Sequence, residues 1–170
     1  MIELSNQTLG KTSDSLACHT SEDVHTIAVA MAGQCRRTLD ICARHLDPAV
    51  LDNAEFGEAV KQLAISSRYA RIRLIVLLPE TLHSRSHQLL RLAHELPTFI
   101  QVRVPGETHK DFNEAMLIAD ETGYIHRVLS DRYDGVAHFN DRLFASELTR
   151  HFNDIWAHGE VDQNFRRLSL

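Results

Sequence analysis

The sequence predicts an α/β fold, a mixed β-sheet flanked by helices on both faces. Three observations carry that expectation. Strand-like apolar runs alternate with helix-spaced apolar stripes through the first two thirds of the chain. The run from Arg71 to Leu78 is nearly continuous in Ile, Leu and Val, as in a central strand covered on both faces. Two further strands then follow one another directly, which makes the sheet mixed instead of purely parallel.

Taken in order, Ser5–Ser21 is rich in Ser, Thr, Asn and Asp and reads as an irregular arm, with a short strand at Ile2–Leu4. Thr20 and Asp23 have capping-box spacing before a helix whose stripe is Val24, Ile27, Ala28, Met31, Ala32 and Cys35. Thr38–Ala43 reads as a strand ended by Asp47-Pro48, and Asp52 with Glu55 caps a helix buried through Phe56, Val60, Leu63 and Ala64. After the Arg71–Leu78 strand and Pro79, a helix runs from Leu82 to Leu96 and stops at Pro97. Strands follow at Phe99–Val104, Ala115–Asp120 and Tyr124–Leu129, the last two joined through Glu121-Thr122-Gly123. A polar loop over Ser130–Gly135 leads to a final helix near Asp141, with Phe144, Leu148, Phe152, Ile155 and Trp156 on one face. The domain is therefore expected over residues 22–157, with an arm at 1–21 and a tail at 158–170.

Composition bounds the function. At 170 residues, with 44% hydrophobic and 24% charged, the chain suits one globular domain with its own core. A net charge of −5 argues against a dedicated binder of nucleic acid or anionic membrane. The longest apolar stretch, Leu74–Leu78, falls far short of the roughly 20 residues a membrane span needs. No secretory signal is visible at the N-terminus, and Cys18, Cys35 and Cys42 form no CxxC pair, so the expected setting is the reducing cytoplasm. Charge is −3 over residues 1–32, +3 over 33–103 and −5 over 104–170, and the arginines of the middle region read as a dispersed solvated surface.

Eleven histidines invite a metal reading. His83, His87 and His94 share one side of the expected third helix, but no fourth ligand is spaced to join them, and Ser84 stands where a zinc-protease Glu would follow the first His. No metal and no cofactor is implied. His109-Lys110-Asp111 is read as exposed loop charge, and the chain lacks a nucleophile elbow, a Walker loop and a GxGxxG turn.

The strand Arg71–Leu78, the helix after it, the strand Phe99–Val104, the paired strands and the ending Ala145, Leu148, Phe152 and Trp156 resemble one half of the phospholipase D superfamily. The chain also resembles small bacterial domains of this type. The resemblance implies a phospholipase D-like single lobe, in a family whose active members pair two halves around a His-x-Lys-(x)4-Asp signature. There, one histidine attacks phosphorus and its partner protonates the leaving oxygen. Laid onto this chain, the signature Asp falls on Asp120, the His position on Asn113 and the Lys position on Ala115. The Gly-Ser that follows corresponds to Leu129 and Ser130, and the next Asn to Arg132. Asparagine forms no phospho-enzyme and alanine offers phosphate no charge, so no catalytic residue is assigned and the inherited phosphodiesterase activity is not expected.

The function expected first is therefore a non-catalytic lobe acting through another protein or as a homodimer. An alternative is a repurposed phosphate- or ligand-binding, or hydrolytic, cleft around Asp120, Ser130 and Arg132, with His126 as a possible lining residue. A weaker one is nucleic-acid binding through the Arg68–Arg73 region. Asp120 also has a structural reading, as a carboxylate that accepts backbone N–H bonds at a strand end.

Overall fold

The computed structural model describes residues 2–81 and 87–162. One seven-stranded sheet runs through it in the order β1-β7-β6-β5-β2-β3-β4, where β1 is Ser15–Cys18, β2 Thr38–Ala43, β3 Arg71–Val76, β4 Ile100–Arg103, β5 Ala115–Ala119, β6 Gly123–Arg127 and β7 Gly135–His138. β2, β3 and β4 are parallel, and the other pairings are antiparallel. The helices are α1 (Ser21–Gln34), α2 (Pro48–Leu51), α3 (Ala54–Ser66), α4 (Gln88–Glu95) and α5 (Arg142–Ala157). Parallel pairs need crossovers, and α3 and α4 supply them. The sheet is thus mixed and covered by helices on both faces.

Strand alternation divides the core. Leu39, Ile41, Ile72, Leu74 and Leu117 pack under α1, α3 and α4 through Ile27, Met31, Phe56 and Val60. On the other face Cys42, Ile75, Met116 and Ile118 meet Ala145, Leu148, Phe152 and Ile155 of α5. The three buried thiols are unpaired; burial pushes Cys18 up to about 11 and Cys35 and Cys42 higher still.

Several elements differ from expectation. The arm's strand lies at Ser15–Cys18 instead of Ile2–Leu4, because it is made by pairing with β7, a strand the sequence does not announce. The arm is further tied by Gly10 N–H to the Phe139 carbonyl (2.8 Å) and Leu9 N–H to Gln34 Oε1 (2.7 Å). Asp47 caps the unexpected short helix α2, and Asn53, not Asp52, caps α3. Asp52 instead accepts from Gln88 N–H at 3.0 Å, where α4 begins. The hairpin turns at Asp120-Glu121, both left-handed (φ 53 and 54), one step before the Glu-Thr-Gly expected. Leu82–Ser86, with His83, lie outside the described residues. Among the described residues no helix is long and apolar enough to cross a membrane.

His87 is a cap, not part of a histidine stripe. Only 2% exposed, it donates from Nε2 to the Leu46 carbonyl (2.7 Å) and accepts Leu89 N–H on Nδ1 (3.1 Å). Acceptance on Nδ1 requires the neutral ring, and burial lowers its pKa below the ordinary value against the opposing pull of the Leu46 carbonyl. The unfolded chain therefore binds more protons than the folded one as pH falls below about 6.5, so stability is full above that pH and is lost as acid reaches the folded pKa. His87→Gln is expected to flatten this acid limb by up to about 1.4 kcal/mol per pH unit, read from urea midpoints between about pH 7 and 5. Parallel limbs in the two proteins would refute it.

Candidate functional site

The residues aligned with the signature separate into two groups at opposite ends of β5. At its start, Asn113 and Ser130 hold one another: the Asn113 carbonyl accepts Ser130 N–H (2.9 Å) and its side-chain oxygen accepts the Ser130 hydroxyl. Ala115 is buried and lines a small, partly open pocket of about 30 Å³ with Val24, Ala43, Val50, Leu51 and Arg127. His126 bonds Glu114 (2.7 Å) and lies against Phe144, while Arg127, on the other face, donates to the Arg132 carbonyl (2.8 Å) and stands over Tyr133. Arg132 itself is exposed. This end is polar but largely paired within itself.

Asp120 lies at the far end of β5 and does not meet Ser130 or Arg132. Its carboxylate accepts the backbone N–H groups of Arg36 (2.9 Å), Arg37 (2.8 Å) and Thr38 (3.1 Å), and the Cys35 thiol (3.2 Å). One charged side chain so gathers the whole turn between α1 and β2. Beside it opens a cleft of about 540 Å³ whose walls carry Lys11, Arg36, Arg37 and Arg142, with Gln34 and Thr122 between them. Among the described residues none of these four cations makes a side-chain ion pair. The one carboxylate on the wall, that of Asp120, is already spent on backbone donors. A positive concave surface on a protein of net charge −5 concentrates anions locally.

Arginines of the middle region otherwise have separate duties. Register places Asp40 of β2 opposite Arg73 of β3, and the buried guanidinium binds it twice, at 2.8 and 2.9 Å, and Asn153 of α5 at 2.8 Å. Phe152 and Trp156 stack on the same guanidinium. Arg73 thus departs from the solvated surface expected of the middle arginines; a lone Asp in one apolar strand and an Arg within the next are the sequence signals for this pair.

Histidine and carboxylate also meet at a third place. His109, Asp154 and His158 bring one potential ligand atom each within 4.8 Å of one another, and no lysine belongs to the group. His109 is thus turned onto α5, unlike Lys110 and Asp111, which are exposed as loop charge.

Residues 20–168 match a family described as Domain of unknown function (DUF7931). No curated protein matches the sequence. Among solved structures, TrmBL2, an archaeal chromatin protein with a novel mode of DNA binding, superposes with a TM-score of 0.63 at 14% identity, over 89% of this chain and 54% of its own. The chain therefore spans about half the length of TrmBL2. NucT from Helicobacter pylori matches with a TM-score of 0.57 at 11% identity, over 86% of this chain and 96% of its own. Nuc from Salmonella typhimurium, a phospholipase D family member, gives 0.56 at 10%, again over 86% and 96%. Identities this low establish the fold alone, that of a phospholipase D-like single lobe.

Proposed function

The chain belongs to the DUF7931 domain family, and from that starting point we propose that the lobe is a binding module for phosphate-bearing ligands instead of a phosphodiesterase. The carrying observation is the cleft beside Asp120, where Lys11, Arg36, Arg37 and Arg142 face one space against a single carboxylate. Arginine suits this task because its planar fork meets two phosphate oxygens at once. Asn113 and Ala115 at the signature positions fit the same reading, since neither forms a covalent phosphate adduct nor holds its charge. The unpaired buried thiols favour a reducing, cytoplasmic setting.

The test is titration calorimetry with pyrophosphate at low ionic strength. Saturable binding is expected, weakened at least tenfold in Arg36→Ala/Arg37→Ala and again in Lys11→Ala/Arg142→Ala, on the premise that each lost charged contact removes about 1.5–3 kcal/mol. Binding that survives all four substitutions, or none at all, would overturn the proposal. A short DNA duplex is the comparison, prompted by the likeness to TrmBL2. Duplex binding with a steep salt dependence, without pyrophosphate binding, would shift the reading to nucleic acid. Self-association is the second reading, favoured by Val128 and Leu129, which stand 66% and 46% exposed just past β6. Particle mass measured on the same samples decides it.

A further inference from the structure

The cluster of His109, Asp154 and His158 is independent of the cleft and is built with some care. Asp154 and His158 are one turn apart at the end of α5, so their side chains share a face. His109 ends the short turn Glu107–His109 that follows β4. Reciprocal backbone bonds between Val104 and Glu160, at 2.8 and 2.9 Å, hold that turn against the helix end. Glycine makes the crossing possible: a Cβ on Gly106 would sit 2.2 Å from the His158 carbonyl oxygen, and one on Gly159 would sit 2.9 Å from that of Val104.

The result is His109 Nε2 at 2.9 Å from Asp154 Oδ2 and His158 Nδ1 at 3.5 Å from Asp154 Oδ1, with the two rings 5.7 Å apart. As plain ion pairing this is poorly finished. The Asp154 side chain is 60% exposed and within reach of water, so its ion pairs with the two histidines are solvent-screened. As a ligand set it is well proportioned. The two histidine nitrogens stand 2.9 and 3.5 Å from different oxygens of Asp154, and one ligand atom from each of the three residues lies within 4.8 Å of the others; ligands of a tetrahedral zinc stand about 3.3 Å apart, so binding needs only a small contraction. His158 Nδ1 also meets the Asp154 backbone carbonyl at 2.9 Å, a contact that an ion bound through this atom would replace.

We propose that His109, Asp154 and His158 form a divalent transition-metal site, with zinc as its ion. Two imidazoles and a carboxylate favour zinc over calcium or magnesium, which prefer all-oxygen shells. Three protein ligands leave a coordination position open to water.

The chelator-stripped full chain titrated with zinc chloride is the test, with cobalt absorption as a report on tetrahedral nitrogen ligation. One zinc per chain is expected, with affinity reduced at least tenfold in His158→Ala and in His109→Gln. His158 is exposed at a helix end, so its variant keeps the fold, which circular dichroism verifies. Absence of stoichiometric zinc overturns the proposal. So does zinc binding that either variant retains at full strength, since the other histidines would then hold the ion.

Discussion

Arg73→Ala is expected to lower the unfolding free energy by about 3–5 kcal/mol, the effect of stranding one member of a buried ion pair. Asp40, 0% exposed, would keep its charge without the two guanidinium bonds at 2.8 and 2.9 Å. Arg71, the other cation near it, stands 4.0 Å away and half in solvent, too remote to replace them. The loss extends to α5, because the same guanidinium holds Asn153 and lies under Phe152 and Trp156. Asp40→Asn should destabilise for the mirror-image reason. The double variant Asp40→Leu/Arg73→Met is expected to recover most of the loss, since matched apolar replacements remove both desolvated charges together. Urea unfolding of the wild type, Asp40→Leu, Arg73→Met and the double variant completes a double-mutant cycle. Additive single effects would show that the pair carries no coupling and would refute this account.

Asp120→Ala is expected to lower stability by about 1.5–3 kcal/mol, the range for hydrogen bonds to a charged group. Three backbone N–H groups and a thiol converge on that carboxylate, so its removal releases the α1–β2 turn. Alanine also tolerates φ 53 less well than aspartate. The turn carries Arg36 and Arg37, and pyrophosphate binding should weaken although a negative charge has been taken away. Simple electrostatics predicts the opposite sign, which makes the variant informative. Amide exchange at Arg36, Arg37 and Thr38 gives the local readout: loss of protection is expected, and unchanged protection with wild-type stability would dismiss the role.

Elements with a long local pattern were legible in the sequence. The apolar run of β3 and the Ala145–Trp156 spacing of α5 state their burial residue by residue, and the capping box at Thr20 and Asp23 forms as read. β1 and β7 were not legible, being four residues each and partly exposed, defined by one another across almost the whole chain. The start of α4 escaped because its signal is a buried histidine cap instead of Ser, Thr, Asp or Asn. Candidate sites were less readable still. Lys11 comes from the arm, Arg36 and Arg37 from a turn and Arg142 from the start of a helix, so no linear motif joins them. His109 becomes informative only when two glycines let its turn cross the end of α5. Asp120 matched the signature by spacing, yet its position at the far end of β5 follows from strand length, which separates it from Asn113 by about 3.4 Å per residue.

The pairing of β1 with β7 has a consequence in time. Ser13 Oγ meets the Asn140 carbonyl 127 positions later, among the longest closures in the chain. Such a closure loses chain entropy before the ladder returns any of it, which slows its formation. During synthesis from the amino end, residues 2–18 precede β7, and the β1 ladder within that segment stays unmade until β7 exists. Because Lys11 lies on that segment, the basic cleft is completed only when it docks.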